Sequence, residues 1–499
     1  MSDFKNTPEQ DAIIAEAKSE ESLILTAFAG AAKTTTLCLL AKKLPIVPTL
    51  CCAFNKRIAD EMAKRMPSHI QCSTMNSLGH RAWGAKLGRR LVVETDKGYN
   101  IVNELMNTLV PDEKKRMGEG FSSLLRMVRL AKSNGYVPEK FRIKGMGHTL
   151  CELEEFLEQI GTDLEVEPDD EFIGWFHHCL ARSITMAYEG RIDYDDQIYM
   201  SVLFDAPYPR FKIIMVDEAQ DLSPLNHEAL RRMFGGRLIA VGDPFQAIYG
   251  FRGAHTGSMA LIKDEFKCKE LFLSISFRCP IAVVERARSR APTMKYPEWA
   301  KPGLVERLGE YTHETFHDGD VVICRNNAPL FSLALKLIRA GRGISLRGND
   351  IGKSLIKVLQ KLGPGNLPRE VVIQEIANWQ EEQLKKSRPS RHAGINDRAE
   401  CLRVFAEVGQ TLEESIAYAT RLFDMAGPIE LMTGHKSKGL EFNRVFHLDP
   451  FLIPSKFALR CAEDGDPSKL EQEKNLRYVI ETRSQDSLFL IDSEDFRLA

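Results

Sequence analysis

At 499 residues the chain is too long for one ordinary core, so several domains are expected. Hydrophobic residues at 43%, charged residues at 27% and a formal net charge of −2 are those of an ordinary soluble globular protein. They exclude a global basic field, so any nucleic-acid path must be a local basic feature.

The opening MSDFKNTPEQ is polar, unlike a signal peptide, and no apolar run nears the ~20 residues that span a bilayer. The 11 cysteines show no CxxC pair and no Cys/His metal spacing, which predicts reduced, buried thiols in a cytoplasmic protein, or a nuclear one if eukaryotic. Strand-like apolar runs follow near 23–27, 49–53, 212–216, 237–241, 271–275, 320–324, 429–432 and 444–448, each leading to a turn and often a helix. That alternation predicts an α/β fold with parallel layers. Between about 85 and 185 the period changes to charge-rich helix, as in YNIVNELMNTLV and CELEEFLEQI. The stretch from about 350 to 424 is again helical and polar, with SRPSRHAGIND as its expected loop.

LTAFAGAAKTTTL, 25–37, has the form of a phosphate loop: an apolar strand, a small-residue turn, then Lys-Thr opening a helix. Such a loop needs converging backbone N–H groups, a lysine for the phosphates and a hydroxyl for magnesium. Gly30 supplies close approach, Ala31 and Ala32 the turn, Lys33 the cation, and Thr34 the hydroxyl, followed by Thr35. Ala32 stands where glycine is usual; alanine is expected to be tolerated there on a helical backbone. In FKIIMVDEAQD, Asp217 and Glu218 end an apolar strand, where one carboxylate can hold magnesium and its neighbour can deprotonate water.

From here the sequence resembles superfamily 1 helicases of the UvrD/Rep type. The matching segments run in order: TPEQDAII, AFNKRIADEM, TMNSLGH, GRIDYDDQI, VGDPFQAIYGFRGA, SISFRCP, LMTGHKSKGLEFNRVF and NLRYVIETRS. The AFAG start of the loop leans towards the branch that includes the F-box DNA helicases, although no F-box segment is recognisable. The resemblance implies two RecA-like parallel-sheet domains, 1–84 with 185–275 and 276–345 with 425–499. Each carries a mainly helical insertion, 85–184 and a reduced 346–424. No appended nuclease domain is expected after the last motif.

The family pattern implies ATP and Mg2+ as cofactors, with Gln10 and Phe277 on adenine and Glu441 on the ribose. Catalytic roles fall to Lys33, Glu218, Gln246, Arg278 and Arg483, and metal binding to Thr34 and Asp217. A guanidinium fork suits a triphosphate because it donates parallel hydrogen bonds. Single-stranded DNA would stack on Phe54, Tyr249 and Phe251, with Asn55, Lys56, Thr74, Asn76, Arg252, Thr433 and His435 on its backbone. The implied activity is an ATP-driven DNA helicase or translocase moving 3′ to 5′ on single strands and at single-strand/duplex junctions, as a monomer, with no membrane partner. Two alternatives stay open: a relative that binds strands with weak or lost hydrolysis, supported only by Ala32, and an RNA-directed motor. A small-molecule kinase would leave the later motifs unexplained.

Overall fold

The computed structural model describes residues 5–497 except 54, 161–167, 249, 251–256, 348 and 388. It divides into two compact units, Met1–Ala27 with Ala32–Ser274, and Phe28–Ala31 with Ile275–Ala499.

The first unit contains β1 (Leu23–Ala27), β2 (Thr49–Cys52), β3 (Ile70–Ser73), β4 (Val92–Val93), β5 (Arg191–Ile192), β6 (Phe211–Val216), β7 (Phe234–Gly242) and β8 (Lys269–Leu273). Six of these form one parallel sheet in the order β3-β2-β6-β7-β1-β8, while β4 and β5 pair with each other. Strands covered on both faces need nearly continuous apolar runs, and all four residues of β2 are buried. Parallel strands end on the same side. The turns after β1, β6 and β7, three neighbours in the sheet, are therefore gathered at one edge without any long-range signal in the sequence.

The charge-rich middle of this unit is helical, including Lys97–Met106, Pro111–Asn134 and Asp170–Tyr188. Pro111 opens its helix where no N–H is needed, and Gly135 closes it with φ 80°. Wholly buried Trp83 donates its indole N–H to Ala187 O at 3.0 Å and meets Tyr188 edge-on at 5.2 Å. Beside this apolar contact lies a buried ionic cluster. Lys97 Nζ donates to Asp196 Oδ2 at 2.5 Å and to the carbonyls of Ser183 and Arg191 at 2.8 and 2.9 Å. Lys132 Nζ reaches Asp193 Oδ2 at 2.6 Å and Asp196 Oδ1 at 2.7 Å. Lys97 and Asp196 are 0% exposed and Lys132 1%.

The second unit holds β9 (Leu304–Arg307), β10 (Val321–Cys324), β11 (Ile344–Leu346), β12 (Ile429–Thr433), β13 (Phe442–Leu448) and β14 (Ser484–Ile491). They form a second parallel sheet, in the order β11-β12-β10-β13-β14-β9. Phe446 joins Phe316 and Phe489 at centroid distances of 4.7 and 4.8 Å in its core. The helices Asn349–Leu359, Arg369–Lys386, Pro389–Val408 and Leu412–Asp424 follow, and Phe331 meets the last two of them through Phe405 and Phe423 at 5.6 and 5.3 Å. Asp397 also accepts from Asn327 N and Ala328 N at the start of the helix Asn327–Arg339, an anion where the helix dipole favours one.

The expected loop SRPSRHAGIND is corrected by this structure: the helix Pro389–Val408 runs through most of it. Its proline occupies the first helical turn, where it starts a helix rather than breaking one. The short pair β4 and β5 was not predicted, and neither were four strands of the six-stranded sheets, β3, β9, β11 and β14. Of those four, β3, β9 and β11 are sheet edges, and β9 shows only one half-buried residue among three exposed ones. Among the described residues all 11 cysteines are free, and no helix is long and apolar enough to cross a membrane.

Candidate nucleotide and strand site

The turn after β1 begins the helix Lys33–Ala41, whose first hydrogen bond runs from Thr36 N to Ala32 O at 2.9 Å. Ala32 has φ 55° and ψ 38°, a left-handed conformation, which corrects the expectation of an ordinary helical backbone. The chain must reverse sharply between strand and helix, and glycine usually meets that demand without steric cost. A β-carbon in this region costs about 1–2 kcal/mol. Ala32→Gly relieves that strain and returns part of it through a more flexible unfolded chain. The expected outcome is a net gain of about 0.5–1 kcal/mol in thermal unfolding, with ATPase activity retained or raised. Lost activity would show that the methyl has a role of its own.

Gly30, at φ 72°, allows no substitution: a β-carbon would lie 2.5 Å from Arg278 Cβ and 2.7 Å from Ser276 Oγ. Its carbonyl accepts from Phe277 N at 2.9 Å, and Ala29 N donates to the Tyr478 hydroxyl at 3.0 Å. Ala31 is buried at 1% exposure.

Lys33 Nζ pairs with Glu218 Oε2 at 3.0 Å, and Thr34 Oγ1 donates to Asp217 Oδ2 at 3.3 Å. Burial pulls the Lys33 ammonium down, but Glu218, Asp243 and Asp217 outweigh it and hold it above its usual range. Burial, then the neighbouring Glu218 charge, pushes Asp217 up to about 6, against the pull of Lys33. Burial also raises Asp243. Three carboxylates around one ammonium leave excess negative charge beside a hydroxyl, a donor set that suits a hard, oxygen-liganded divalent cation. Among the described residues no cluster of three or more His, Cys, Asp or Glu forms a metal cage.

Two residues not predicted as site residues tie this edge together. Gln220 Nε2 donates to Glu218 Oε2 at 2.5 Å, and its Oε1 accepts from Asp243 N at 3.1 Å. Asp243 in turn accepts from Gln246 Nε2 at 2.7 Å. Thus Gln246, 6% exposed, joins Glu218 through two intermediaries. The DEAQD string held the signal for Gln220, but a glutamine's partners depend on which strand ends beside it.

Gln10 completes a capping box with Thr7 and donates to Thr36 Oγ1 at 3.1 Å. Thr35 Oγ1 accepts from Arg65 Nη2 at 3.0 Å. In the second unit, Arg278 Nε donates to Glu441 Oε2 at 2.7 Å, so two predicted site residues meet there, and Gln485 donates to the other Glu441 oxygen at 3.0 Å. Arg483 is 1% exposed, with Nε on Val479 O at 2.8 Å and Nη1 on Leu440 O at 3.0 Å. Phe277 stacks on Trp299.

Of the predicted strand contacts, Phe54, Tyr249, Phe251 and Arg252 lie outside the described residues. Asn55 and Thr74 each cap a helix, accepting from Ile58 N at 2.9 Å and Ser77 N at 3.1 Å. Lys56 is exposed beside Asn55. Thr433 and His435 are half-buried at the end of β12. Asn76 donates to Tyr194 O at 2.8 Å, which brings in a residue not predicted: Tyr194 is an aromatic ring 60% exposed, between Asp193 and Asp195 of the buried ionic turn.

A parallel sheet whose strand ends gather a small-residue turn before Lys33-Thr34, a paired Asp-Glu and a coupled glutamine has the layout of a P-loop fold. The family model described as UvrD/REP helicase N-terminal domain matches residues 6–267, and that described as UvrD-like helicase C-terminal domain matches 370–495. The chain belongs to the UvrD/REP helicase family. It is 24% identical to F-box DNA helicase protein 1 of Schizosaccharomyces pombe across 98% of this chain, and 25% identical to F-box DNA helicase 1 of Gallus gallus across all of it. It spans only 57% and 50% of those two relatives. ATP-dependent DNA helicase UvrD1 of Mycobacterium tuberculosis is 23% identical over 46% of this chain and 36% of its own length.

Proposed function

We propose that the chain is an ATP-driven DNA helicase or translocase, moving 3′ to 5′ along single strands and opening duplex at junctions. The observation that carries the reading is the convergence of Lys33, Thr34, Asp217 and Glu218 within hydrogen-bonding distance at one sheet edge. Lys33 would bind the phosphates, and Thr34 and Asp217 would hold Mg2+, which when bound neutralises developing charge. A triphosphate would compete with Glu218 for Lys33, leaving the Glu218 carboxylate to orient water and accept its proton. Gln220, bonded to both Glu218 and Asp243 N, would keep that carboxylate in register with Gln246. In the same reading Arg278 and Arg483 act on the γ-phosphate, Gln10 and Phe277 on adenine, and Glu441 on the ribose.

The strand side would comprise Phe54, Asn55, Lys56, Thr74, Asn76, Tyr249, Phe251, Arg252, Thr433 and His435, to which we add Tyr194. Aromatic stacking and backbone contacts hold single strands with little sequence preference. Such a motor works where DNA is accessible, in the cytoplasm or the nucleus. The test is Mg2+-dependent ATP hydrolysis with and without single-stranded DNA, with matched RNA as competitor. DNA should stimulate turnover by at least about tenfold and RNA should compete poorly. Strand binding without turnover would instead support a non-hydrolysing relative, and equal competition by RNA an RNA-directed motor.

A further inference from the structure

Trp299 is 62% exposed, so burial does not account for its position. The backbone around it is fastened at both ends to the segment carrying Phe277. Ser276 N donates to Lys295 O at 2.8 Å, and Ile281 N donates to Lys301 O at 2.9 Å. Between these clamps, Ala300 N closes a turn onto Pro297 O at 2.9 Å, with Trp299 inside it. The indole then stacks on Phe277, with centroids 6.2 Å apart and planes at 27°. Phe277 is held on its other side along the chain by the bond from its N–H to Gly30 O. The stacked pair borders a cavity of ≈ 500 Å³, also lined by Lys301, Arg444, Gln485 and Asp486.

We propose that Trp299 is a positioning residue for the nucleotide base: its indole fixes the Phe277 ring so that the two rings form one stacked platform for a purine. This rests on the reading of Phe277 as the adenine-stacking residue. A half-buried phenylalanine ring has more than one staggered rotamer open to it, and a clamped indole against it selects one. The energy typical of an aromatic pair corresponds to about a threefold to tenfold change in affinity.

Steady-state ATPase measurements on Trp299→Ala, Trp299→Phe and Phe277→Ala test this. Trp299→Ala should raise KM for ATP by about threefold to tenfold with kcat within about twofold, and Trp299→Phe should restore most of the loss. Inhibition by inorganic tripolyphosphate, which has no base to stack, should be unchanged in Trp299→Ala. If Phe277→Ala raises KM but Trp299→Ala does not, the proposal fails while the role of Phe277 stands. If Phe277→Ala leaves KM unaltered, the base lies elsewhere and the underlying reading fails. Equal weakening of ATP and tripolyphosphate in Trp299→Ala would show a merely structural turn and overturn the proposal. Should Trp299→Ala not fold, tryptophan emission decides: ATP should change it in the unsubstituted protein but not in Trp299→Phe, and an unchanged response in Trp299→Phe counts against the platform.

Discussion

Lys33→Ala should lower kcat/KM for ATP by about 10³-fold or more while leaving single-strand binding largely intact. The ammonium is the cation among Asp217, Glu218 and Asp243, and their attraction holds it charged despite burial. Its loss removes the charge that would meet the phosphates and leaves three carboxylates repelling the same anion. Strand binding would depend on other side chains, such as Lys56 and Asn76, so a filter-binding or anisotropy titration should move little. Hydrolysis retained within about tenfold of the unsubstituted rate would remove this loop from the mechanism.

Asp196→Ala should destabilise the first unit by about 3–5 kcal/mol, read as a fall of about 10 °C in its thermal transition. Asp196 is shared by Lys97 and Lys132, and all three are essentially inaccessible to water. Removing the carboxylate leaves two buried ammonium groups close together, with Asp193 and carbonyl oxygens as the acceptors seen around them. The same turn carries Tyr194, so single-strand affinity should fall along with stability. A shift below about 2 °C would mean that water or a local rearrangement replaces the lost charge.

Much of the nucleotide edge was legible because each of its motifs is local. A strand, a tight turn and a helix are written in consecutive residues, and parallel β1, β6 and β7 must deliver their turns to one side. Lys33, Thr34, Asp217 and Glu218 are therefore recognisable from their neighbours in the chain. The edge strand β9 was not legible, since it has no apolar face to reveal it. The family resemblance implies strand contacts for Asn55 and Thr74, and the structure shows a use that the motif does not disclose: each caps a helix start.

By itself, the sequence determined the α/β class with parallel layers and the residues of a phosphate-loop pattern, because hydrophobic period and turn chemistry act over a few neighbours. The tertiary structure alone decided that Gln220 links Glu218 to Asp243, that two lysines share Asp196, and that Trp299 lies on Phe277. Each of these depends on how segments distant in the chain pack against one another. Packing sets those encounters, and no short-range pattern encodes them.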